Sequence, residues 1–343
     1  MTSIKANTIS KSQIPWVEVY RPRTLNDMYG QEHIVAQLKT FLECASETMP
    51  HLLLVGPPGT GKTSSMWCLA RHMFGNDPTV LAATVKEINA SRDCKPETVV
   101  NEIRPFVHTM SAEASNRGHK KMLILDEAEA MTDNAQQLLR QLMDETGKYC
   151  YFAIACNDLT NIIQPIQSRC TVLQFGALAP YHVMYGILKV IRSEKIKFSQ
   201  EAVETLQFVA DGDMRRAINV LQSVAQTWKR LTSENIYKVC DIPPIQLLRT
   251  LFSHCINCEF VQAINIIKRI VNVGGYGVAD VVETMMKLLR TDMSVTRNDP
   301  WLFAHYHDAV GDAYAQTLEN RHDMLVLTSL IARLCIESRR ING

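Results

Sequence analysis

The sequence contains few of the features that mark a membrane, secreted or repetitive protein. Its 343 residues include no run that approaches the ~18 apolar residues of a membrane span. The opening residues, MTSIKANTISKS, are polar and lack the apolar stretch of a secretory leader. No internal repeat and no low-complexity segment is present, which excludes a solenoid or a mainly disordered chain. We therefore expect a globular protein that is neither inserted in a membrane nor secreted.

Neither charge nor cysteine dominates the composition. Lys and Arg number 36 against 35 Asp and Glu, so any contact with DNA must come from a local cluster. The ten cysteines form no repeating framework, which favours reduced thiols in the cytosol or nucleus over disulfides. Cys255 and Cys258 have zinc-type spacing, but no second pair matches them. Structural thiols are therefore favoured over a zinc site.

Short apolar runs alternate with amphipathic stretches through the first half of the chain. The predicted helices lie near 31–44, 62–74, 97–110 and 134–146, and the predicted strands are HLLLV (51–55), VKEIN (85–89), KMLIL (121–125), CYFAIAC (150–156) and TVLQF (171–175). Strands that alternate with helices predict an α/β core, with a parallel sheet covered by helices on both faces.

After residue 178 the pattern is helical and no further strand is predicted. Helices are expected near 181–194, 200–210, 213–228 and 234–240. Pro243 and Pro244 break the pattern and indicate a boundary before a last helical block, about 245–340.

A glycine-rich loop follows the first predicted strand and opens a helix. GPPGTGKT (56–63) fits the phosphate-loop pattern G-x-x-x-x-G-K-[ST] at every fixed position. Glycines allow backbone N–H groups to surround phosphate oxygens, and the following helix N-terminus favours negative charge. Lys62 is predicted to neutralise the β- and γ-phosphates, and the Thr63 hydroxyl to ligate Mg²⁺. The alternative is an ordinary Gly/Pro turn, which the full match in the required context makes the weaker interpretation.

Polar residues follow the third and fourth predicted strands, KMLIL (121–125) and CYFAIAC (150–156). Asp126 is placed to hold Mg²⁺ through water, and Glu127 to activate the attacking water as general base. Asn157, at the end of the following run, can hold that water near the γ-phosphate. Solvated strand ends are the alternative for the acids, and a routine turn residue is the alternative for Asn157.

These motifs belong to a longer series that resembles a known family. The series comprises PWVEVYRP (15–22), GQ (30–31), GPPGTGKT (56–63), NAS (89–91), LDEAE (125–129), CN (156–157), SRC (168–170) and GDMRR (212–216). In these motifs the chain is similar to replication factor C small subunits, which are AAA+ ATPases of the clamp loader. The stretches 161–170, 237–241 and 331–335 are most similar to the ATP-competent small subunit numbered two in animals and four in budding yeast.

The resemblance implies a domain plan and a set of partners. It predicts a disordered N-terminus (1–13), a RecA-like AAA+ core (14–177), a helical lid (178–241) and a helical collar (242–343). It implies a nuclear heteropentamer, with a large subunit and three other small subunits. That complex uses ATP and Mg²⁺ to load the sliding clamp (PCNA) onto primer–template DNA, without sequence preference and without a membrane.

Residue roles follow from the matched positions. Asn157 corresponds to the sensor that faces the γ-phosphate, Arg215 to the lid arginine that reports ATP against ADP, and Arg169 to the finger that serves a neighbour's ATP. A surface salt bridge is the alternative for either arginine. The resemblance and the loop together predict the nucleotide-binding residues Val17, Tyr20, Arg21, Pro22, Tyr29, Gly56, Pro57, Pro58, Gly59, Thr60, Gly61, Lys62, Thr63, Asn157 and Arg215.

The chain departs from the family in the region that faces DNA. NASRDCKPETVV (89–100) lacks the usual arginines, and Arg92 and Lys95 are the candidates to supply replacement phosphate contacts. A solvated loop is the alternative. Arg140 is kept and is a further predicted DNA contact, on the helix that couples DNA binding to the ATP site in the family. Gln141 replaces an arginine, and Glu129 replaces an aspartate. Two other functions stay open, namely a self-contained AAA+ remodelling motor and a clamp-loader subunit that does not hydrolyse ATP.

Overall fold

The computed structural model describes residues 14–43, 49–93, 96–109, 120–296, 299–319 and 323–342. The chain divides into two compact units: residues 1–196 with 206–222, and residues 197–205 with 223–343. The division into core, lid and collar therefore stays a prediction.

The first unit is built on a five-stranded parallel sheet with the order β2-β3-β4-β1-β5. The strands are β1 (His51–Val55), β2 (Val85–Asn89), β3 (Lys121–Asp126), β4 (Cys150–Cys156) and β5 (Cys170–Gln174). The predicted strands are confirmed. β1, β3 and β4 are almost entirely buried, as expected for strands covered on both faces.

Pairing of the strands places three chain segments beside one another. Val55 of β1 pairs with Cys156 of β4, and Ile154 of β4 pairs with Leu125 of β3. Because the strands are parallel, their carboxyl ends meet at one edge of the sheet. The segments that follow β1, β3 and β4 are therefore neighbours, although the sequence separates them by up to a hundred residues.

Helices surround this sheet. The first unit contains α1 (Trp16–Val19), α2 (Glu32–Glu43), α3 (Lys62–Phe74), α4 (Pro78–Thr84), α5 (Ala90–Asp93), α6 (Pro96–Thr98), α7 (Arg104–His108), α8 (Asp133–Thr146), α9 (Gln164–Gln167) and α10 (Pro180–Ser193), with 3-10 turns at Leu25–Asp27, Ala128–Ala130 and Leu159–Asn161. Alternate strand residues face two apolar layers. One layer includes Leu69 of α3, and the other includes Leu139 of α8. This two-layer packing confirms helices on both faces.

The helix predicted near 97–110 is interrupted. A π-turn at Val99–Ile103 separates α6 from α7. Pro105 has no N–H to donate to the preceding turn, so a regular α-helical ladder cannot run through it.

The division between the units passes through α11 (Gln200–Ala210) and α12 (Met214–Trp228). The second unit holds α13 (Ser233–Cys240), α14 (Ile245–Ile256), α15 (Phe260–Lys268), α16 (Val278–Thr291), α17 (Pro300–Leu318) and α18 (Met324–Asn342), with a π-turn at Arg269–Val273 and a 3-10 turn at Met293–Thr296. The helix break predicted at Pro243 and Pro244 is present between α13 and α14.

One prediction for the second half was wrong, because two short strands are present there. β6 (Lys197–Phe198) pairs in parallel with β7 (Arg230–Leu231). A two-residue strand is too short to show an alternating pattern in the sequence.

The helices of the second unit bury Phe252, Tyr306 and Leu334 between them. The hydroxyl groups of Tyr306 and Ser338 are hydrogen-bonded at 2.7 Å inside this core. Within the described ranges, no helix combines the length and apolar character needed to cross a bilayer.

Candidate functional site

A cavity of about 340 Å³ opens at the carboxyl edge of the sheet, within the first unit. This volume lies in the ~300–1,000 Å³ range of small-molecule sites. The structure brings together around it the predicted residues Val17, Tyr20, Arg21, Pro22, Tyr29, Pro58, Gly59, Thr60, Gly61, Lys62, Thr63, Asp126, Glu127, Asn157 and Arg215. Gly56 and Pro57 do not line it. Their carbonyl groups instead accept hydrogen bonds from the loop's lysine.

The glycine-rich loop, residues 56–61, packs against the GDMRR segment. Gly59 has φ +70°, a conformation that favours glycine. A Cβ atom built on it would lie 1.7 Å from Asp213 Oδ1. The Met214 N–H also donates to the Gly59 carbonyl at 3.3 Å. These contacts leave no room for a side chain at this point of the loop.

Lys62 opens α3 and is almost fully buried. Its Nζ donates to the carbonyl oxygens of Gly56 (2.6 Å) and Pro57 (2.9 Å), and to Asn157 Oδ1 (2.9 Å). Burial lowers the pKa of Lys62, while the negative charges of Asp126 and Glu129 act in the opposite direction. The lysine is thus held at the loop by groups that a phosphate can replace with stronger, charge-assisted hydrogen bonds.

Asp126, at the end of β3, accepts two hydrogen bonds. Its Oδ2 accepts from the Thr63 hydroxyl at 2.8 Å, and its Oδ1 from the Glu127 N–H at 3.0 Å. A carboxylate and a hydroxyl in direct contact form the kind of oxygen set that Mg²⁺ takes beside a nucleotide. Thr63 and Asp126 therefore fit a magnesium site.

Glu127 adopts a left-handed backbone conformation, with φ +54°. This conformation is uncommon for a residue with a side chain and costs about 1 kcal/mol or more. It ends β3 and starts the 3-10 turn at Ala128–Ala130, and it leaves Glu127 on the wall of the cavity. Backbone strain of this kind is typical of functional sites.

Asn157 follows β4 and is bonded on both sides. Its Oδ1 accepts from Lys62, and its Nδ2 donates to Glu129 Oε1 at 2.6 Å. The backbone N–H of Asn157 donates to the same carboxylate oxygen at 3.1 Å. The orientation of the amide is therefore fixed, which an ordinary turn residue does not require.

The predicted adenine side of the cavity is tied to its surroundings by polar contacts. The Tyr20 hydroxyl donates to Glu194 at 2.5 Å, and burial together with this carboxylate raises the pKa of Tyr20 to about 12. Arg21 Nε donates to the Ser64 hydroxyl at 3.3 Å. The segment that contains α1 is thereby attached both to α3 and to the end of α10.

Comparison with known proteins adds to this geometry. Residues 52–177 match the family model for the ATPase family associated with various cellular activities (AAA). The chain is 34% identical to replication factor C subunit 4 of Oryza sativa subsp. japonica over 94% of this chain and 93% of that protein. It is 33% identical to subunit 4 of Saccharomyces cerevisiae, covering 94% of this chain and 96% of the relative. It is 32% identical to a probable subunit 2 of Dictyostelium discoideum, covering 96% and 94%.

The chain belongs to the replication factor C subunit family. It carries the AAA ATPase domain of that family and is an ATPase. Among solved structures, the Holliday junction branch migration motor RuvB of Thermotoga maritima shares the fold, with a TM-score of 0.51 at 17% identity. The match covers 84% of this chain and 92% of the RuvB chain. The relatives carry the subunit numbers 2 and 4, which agrees with the small-subunit resemblance without selecting one member.

Two arginines of this replication factor C subunit occupy different places. Arg215 lines the cavity, and its charge helps to lower the pKa of Lys62. Arg169 lies outside the cavity, where Nε and Nη2 donate to Asp144 at 2.6 and 3.1 Å and Nη1 donates to the Pro165 carbonyl at 2.7 Å. The structure thus brings Arg215, but not Arg169, to the chain's own site.

The residues predicted to contact DNA are also outside the cavity. Arg92 is exposed on α5. Arg140 on α8 donates to Asp144 at 3.4 Å, the same carboxylate that holds Arg169. Lys95 lies outside the described residues.

Sequence reasoning missed two kinds of site residue. Leu178 before α10, Val190 on α10 and Ile218 on α12 give the cavity an apolar side, and no motif in the sequence pointed to them. Asp213 packs against Gly59 of the loop, and Glu129 accepts a hydrogen bond from Asn157. Both residues lie in motifs of the family, GDMRR and LDEAE, but no role was predicted for them.

Proposed function

We propose that this chain is an ATP-hydrolysing subunit of a clamp loader, which helps to load a sliding clamp onto primer–template DNA. One observation carries the proposal. Lys62, Thr63, Asp126 and Asn157 form a single hydrogen-bonded set around a cavity, in a chain similar to replication factor C subunits over nearly its whole length.

The contacts support a hydrolytic role. When ATP enters, Lys62 exchanges its carbonyl and amide acceptors for β- and γ-phosphate oxygens. Thr63 and Asp126 would hold Mg²⁺, which supplies positive charge beside the phosphates. Asn157 positions the attacking water and Glu127 accepts its proton. The water oxygen bonds to the γ-phosphorus, and the bond from that phosphorus to the ADP oxygen breaks.

The two arginines divide their work between sites. Arg215, near Lys62, contacts the γ-phosphate and reports ATP against ADP. Arg169 serves the ATP of a neighbouring subunit. Its hydrogen bonds to Asp144 and to the Pro165 carbonyl support this role, since they hold its guanidinium outside the cavity of this chain. An arginine supplied in trans contributes ~10³–10⁵ in rate in related phosphoryl transfers. Hydrolysis then depends on correct assembly.

The assembly is a nuclear heteropentamer, with a large subunit and three other small subunits as partners. The sliding clamp and primer–template DNA complete it. DNA is bound through its phosphates by arginines such as the exposed Arg92 and the half-buried Arg140, so binding weakens as salt rises and does not depend on sequence.

Comparison of the isolated and the assembled chain tests this function. ATP hydrolysis is measured for the purified chain and for the complex with clamp and primed DNA. We expect weak activity alone, strong activity in the complex, and a loss of ~10²–10⁴-fold at this subunit's site in Glu127→Gln. Exchange of Glu201, an exposed glutamate on α11, for Gln is the matched control.

Three results would contradict the proposal. Full activity of the chain by itself, or a stable homohexamer in native mass measurement, would indicate a self-contained motor. An unchanged rate for Glu127→Gln in the complex would indicate a subunit that does not hydrolyse ATP.

A further inference from the structure

Glu129 is the residue that completes the polar set around the phosphate loop. It lies in the 3-10 turn after Glu127, and its Oε1 accepts both from the side-chain amide and from the backbone N–H of Asn157. On its other side, Asn157 accepts from Lys62. A continuous chain of hydrogen bonds therefore runs from Glu129 through Asn157 to Lys62.

The chemistry of the two end groups fixes the orientation of the amide between them. An ionised carboxylate only accepts hydrogen bonds, and an ammonium group only donates them. The reversed amide would place its oxygen against the Glu129 carboxylate and its NH₂ against the Lys62 ammonium. Glu129 and Lys62 thus both select the same orientation, with Asn157 Oδ1 toward the loop and Nδ2 away from it.

When Lys62 moves to phosphate oxygens, Glu129 is the remaining described residue that fixes the side-chain amide. An acceptor atom facing the nucleotide suits an O–H of the attacking water and not a γ-phosphate oxygen, which is itself an acceptor. The orientation that Glu129 imposes therefore decides which of the two groups Asn157 can hold.

The carboxylate occupies its place at a cost. Its second oxygen, Oε2, is buried and has no hydrogen-bond partner among the residues that the structure describes. A buried carboxylate oxygen without a hydrogen-bond partner is unfavourable, and such an atom calls for a functional reason. The contacts with Asn157 and the nearby charge of Lys62 are the interactions that hold it.

We propose that Glu129 is a positioning residue for ATP hydrolysis: it orients Asn157 so that Oδ1 accepts a hydrogen bond from the attacking water. This inference rests on the proposed function, because it assumes that Asn157 faces that water.

Four variants in the assembled complex test it: Glu129→Gln, Asn157→Ala, the double variant, and the exposed control Glu201→Gln. Glutamine keeps the size of Glu129 but can also donate, so the amide of Asn157 is free to reverse. The kcat and KM for ATP are measured with clamp and primed DNA. Thermal melting and binding of a fluorescent ATP analogue show whether each variant folds and binds nucleotide.

We expect Glu129→Gln to lower kcat about 10- to 100-fold, the range found when a hydrogen-bond partner that orients a functional side chain is removed. KM should change by less than about threefold, because binding of the phosphates is left to Lys62 and the loop. The double variant should be no slower than Asn157→Ala, since Glu129 acts through Asn157.

The outcomes separate this inference from the proposed function. If Asn157→Ala is slow and Glu129→Gln is as fast as the wild type, the role of Glu129 is refuted while the function stands. If the two losses multiply in the double variant, Glu129 acts independently of Asn157 and the inference fails. If Asn157→Ala hydrolyses ATP at the wild-type rate, the catalytic set assigned under the proposed function is itself wrong.

Discussion

Replacement of Gly59 by alanine tests how tightly the phosphate loop is packed. Gly59 has φ +70°, and an added Cβ would lie 1.7 Å from Asp213 Oδ1. Asp213 must rotate away to make room. Its Oδ1 then loses the hydrogen bond that it accepts from the Arg216 N–H at 3.0 Å, at the start of α12.

Two costs add in this variant. The left-handed backbone conformation costs alanine about 1 kcal/mol relative to glycine. Loss of a side-chain cap at a helix N-terminus costs about 1 kcal/mol. We therefore expect the free energy of unfolding of Gly59→Ala to fall by about 2 kcal/mol.

Gly275→Ala is the matched control for the backbone term. Gly275 has φ +77°, and apart from its two chain neighbours no described residue has an atom within 4 Å of a Cβ built there. This variant should lose only about 1 kcal/mol. Both are measured by urea unfolding followed by circular dichroism, without nucleotide.

A double variant isolates the contact with Asp213. With Asp213→Ala already in place, the added Gly59→Ala should cost only about 1 kcal/mol, because the carboxylate that clashes is gone. The packing argument is refuted if Gly59→Ala costs no more than Gly275→Ala, or if the cost is the same with and without Asp213.

Three further changes probe other parts of the molecule. Lys62→Ala should weaken ATP binding at least ~100-fold in a fluorescent-nucleotide titration, because a charge-assisted phosphate contact is lost; unchanged affinity would exclude the loop as the phosphate site. Burial, aided by the charge of Lys120, lowers the pKa of His51 from 6.5 to about 4, so the stability it supports is present above pH 6.5 and is lost as the pH falls toward 4. Between pH 7 and 5 the wild type should lose about 2 kcal/mol more than His51→Asn in urea unfolding, and equal losses would refute this assignment. Asp144→Asn, which removes the carboxylate that holds Arg169, should slow hydrolysis in the complex about tenfold while the chain's own ATP affinity stays unchanged. Hydrolysis at the wild-type rate would show that the contact with Asp144 is not needed to position Arg169 for the neighbour's ATP.

The strands of the sheet were predictable because strands that are buried on both faces consist of short, continuous apolar runs. CYFAIAC (150–156) is apolar throughout and is buried throughout. The helix near 97–110 was predictable in type but not in detail, since the π-turn before Pro105 depends on one missing N–H. β6 and β7 were not predictable, because a strand of two residues is too short to show an alternation of apolar and polar residues.

The site was predictable where function constrains residue type within a short motif. Lys62, Thr63 and Asp126 could be placed together because parallel strands end at one edge of the sheet. Glu129 and Asp213, the two residues that support the site, were not predictable in this way. Glu129 and Asp213 act through contacts across 28 and 154 positions of the chain, respectively, and nothing in the local sequence indicates their partners.

These supports give the phosphate loop two neighbours that can respond to the same event. On one side, Asn157 is bonded to both Lys62 and Glu129, so in the proposed mechanism Glu129 would keep the amide oriented when Lys62 moves to a phosphate. On the other side, Asp213 and Met214 contact Gly59 directly, and Arg215 follows them in the chain, close enough to influence the pKa of Lys62. Under the proposed function, we therefore expect a γ-phosphate that arrives at Lys62 to change the electrostatic forces on Asn157 and Arg215 together. Asn157 would then hold the attacking water, while Arg215 would respond to the presence of the γ-phosphate.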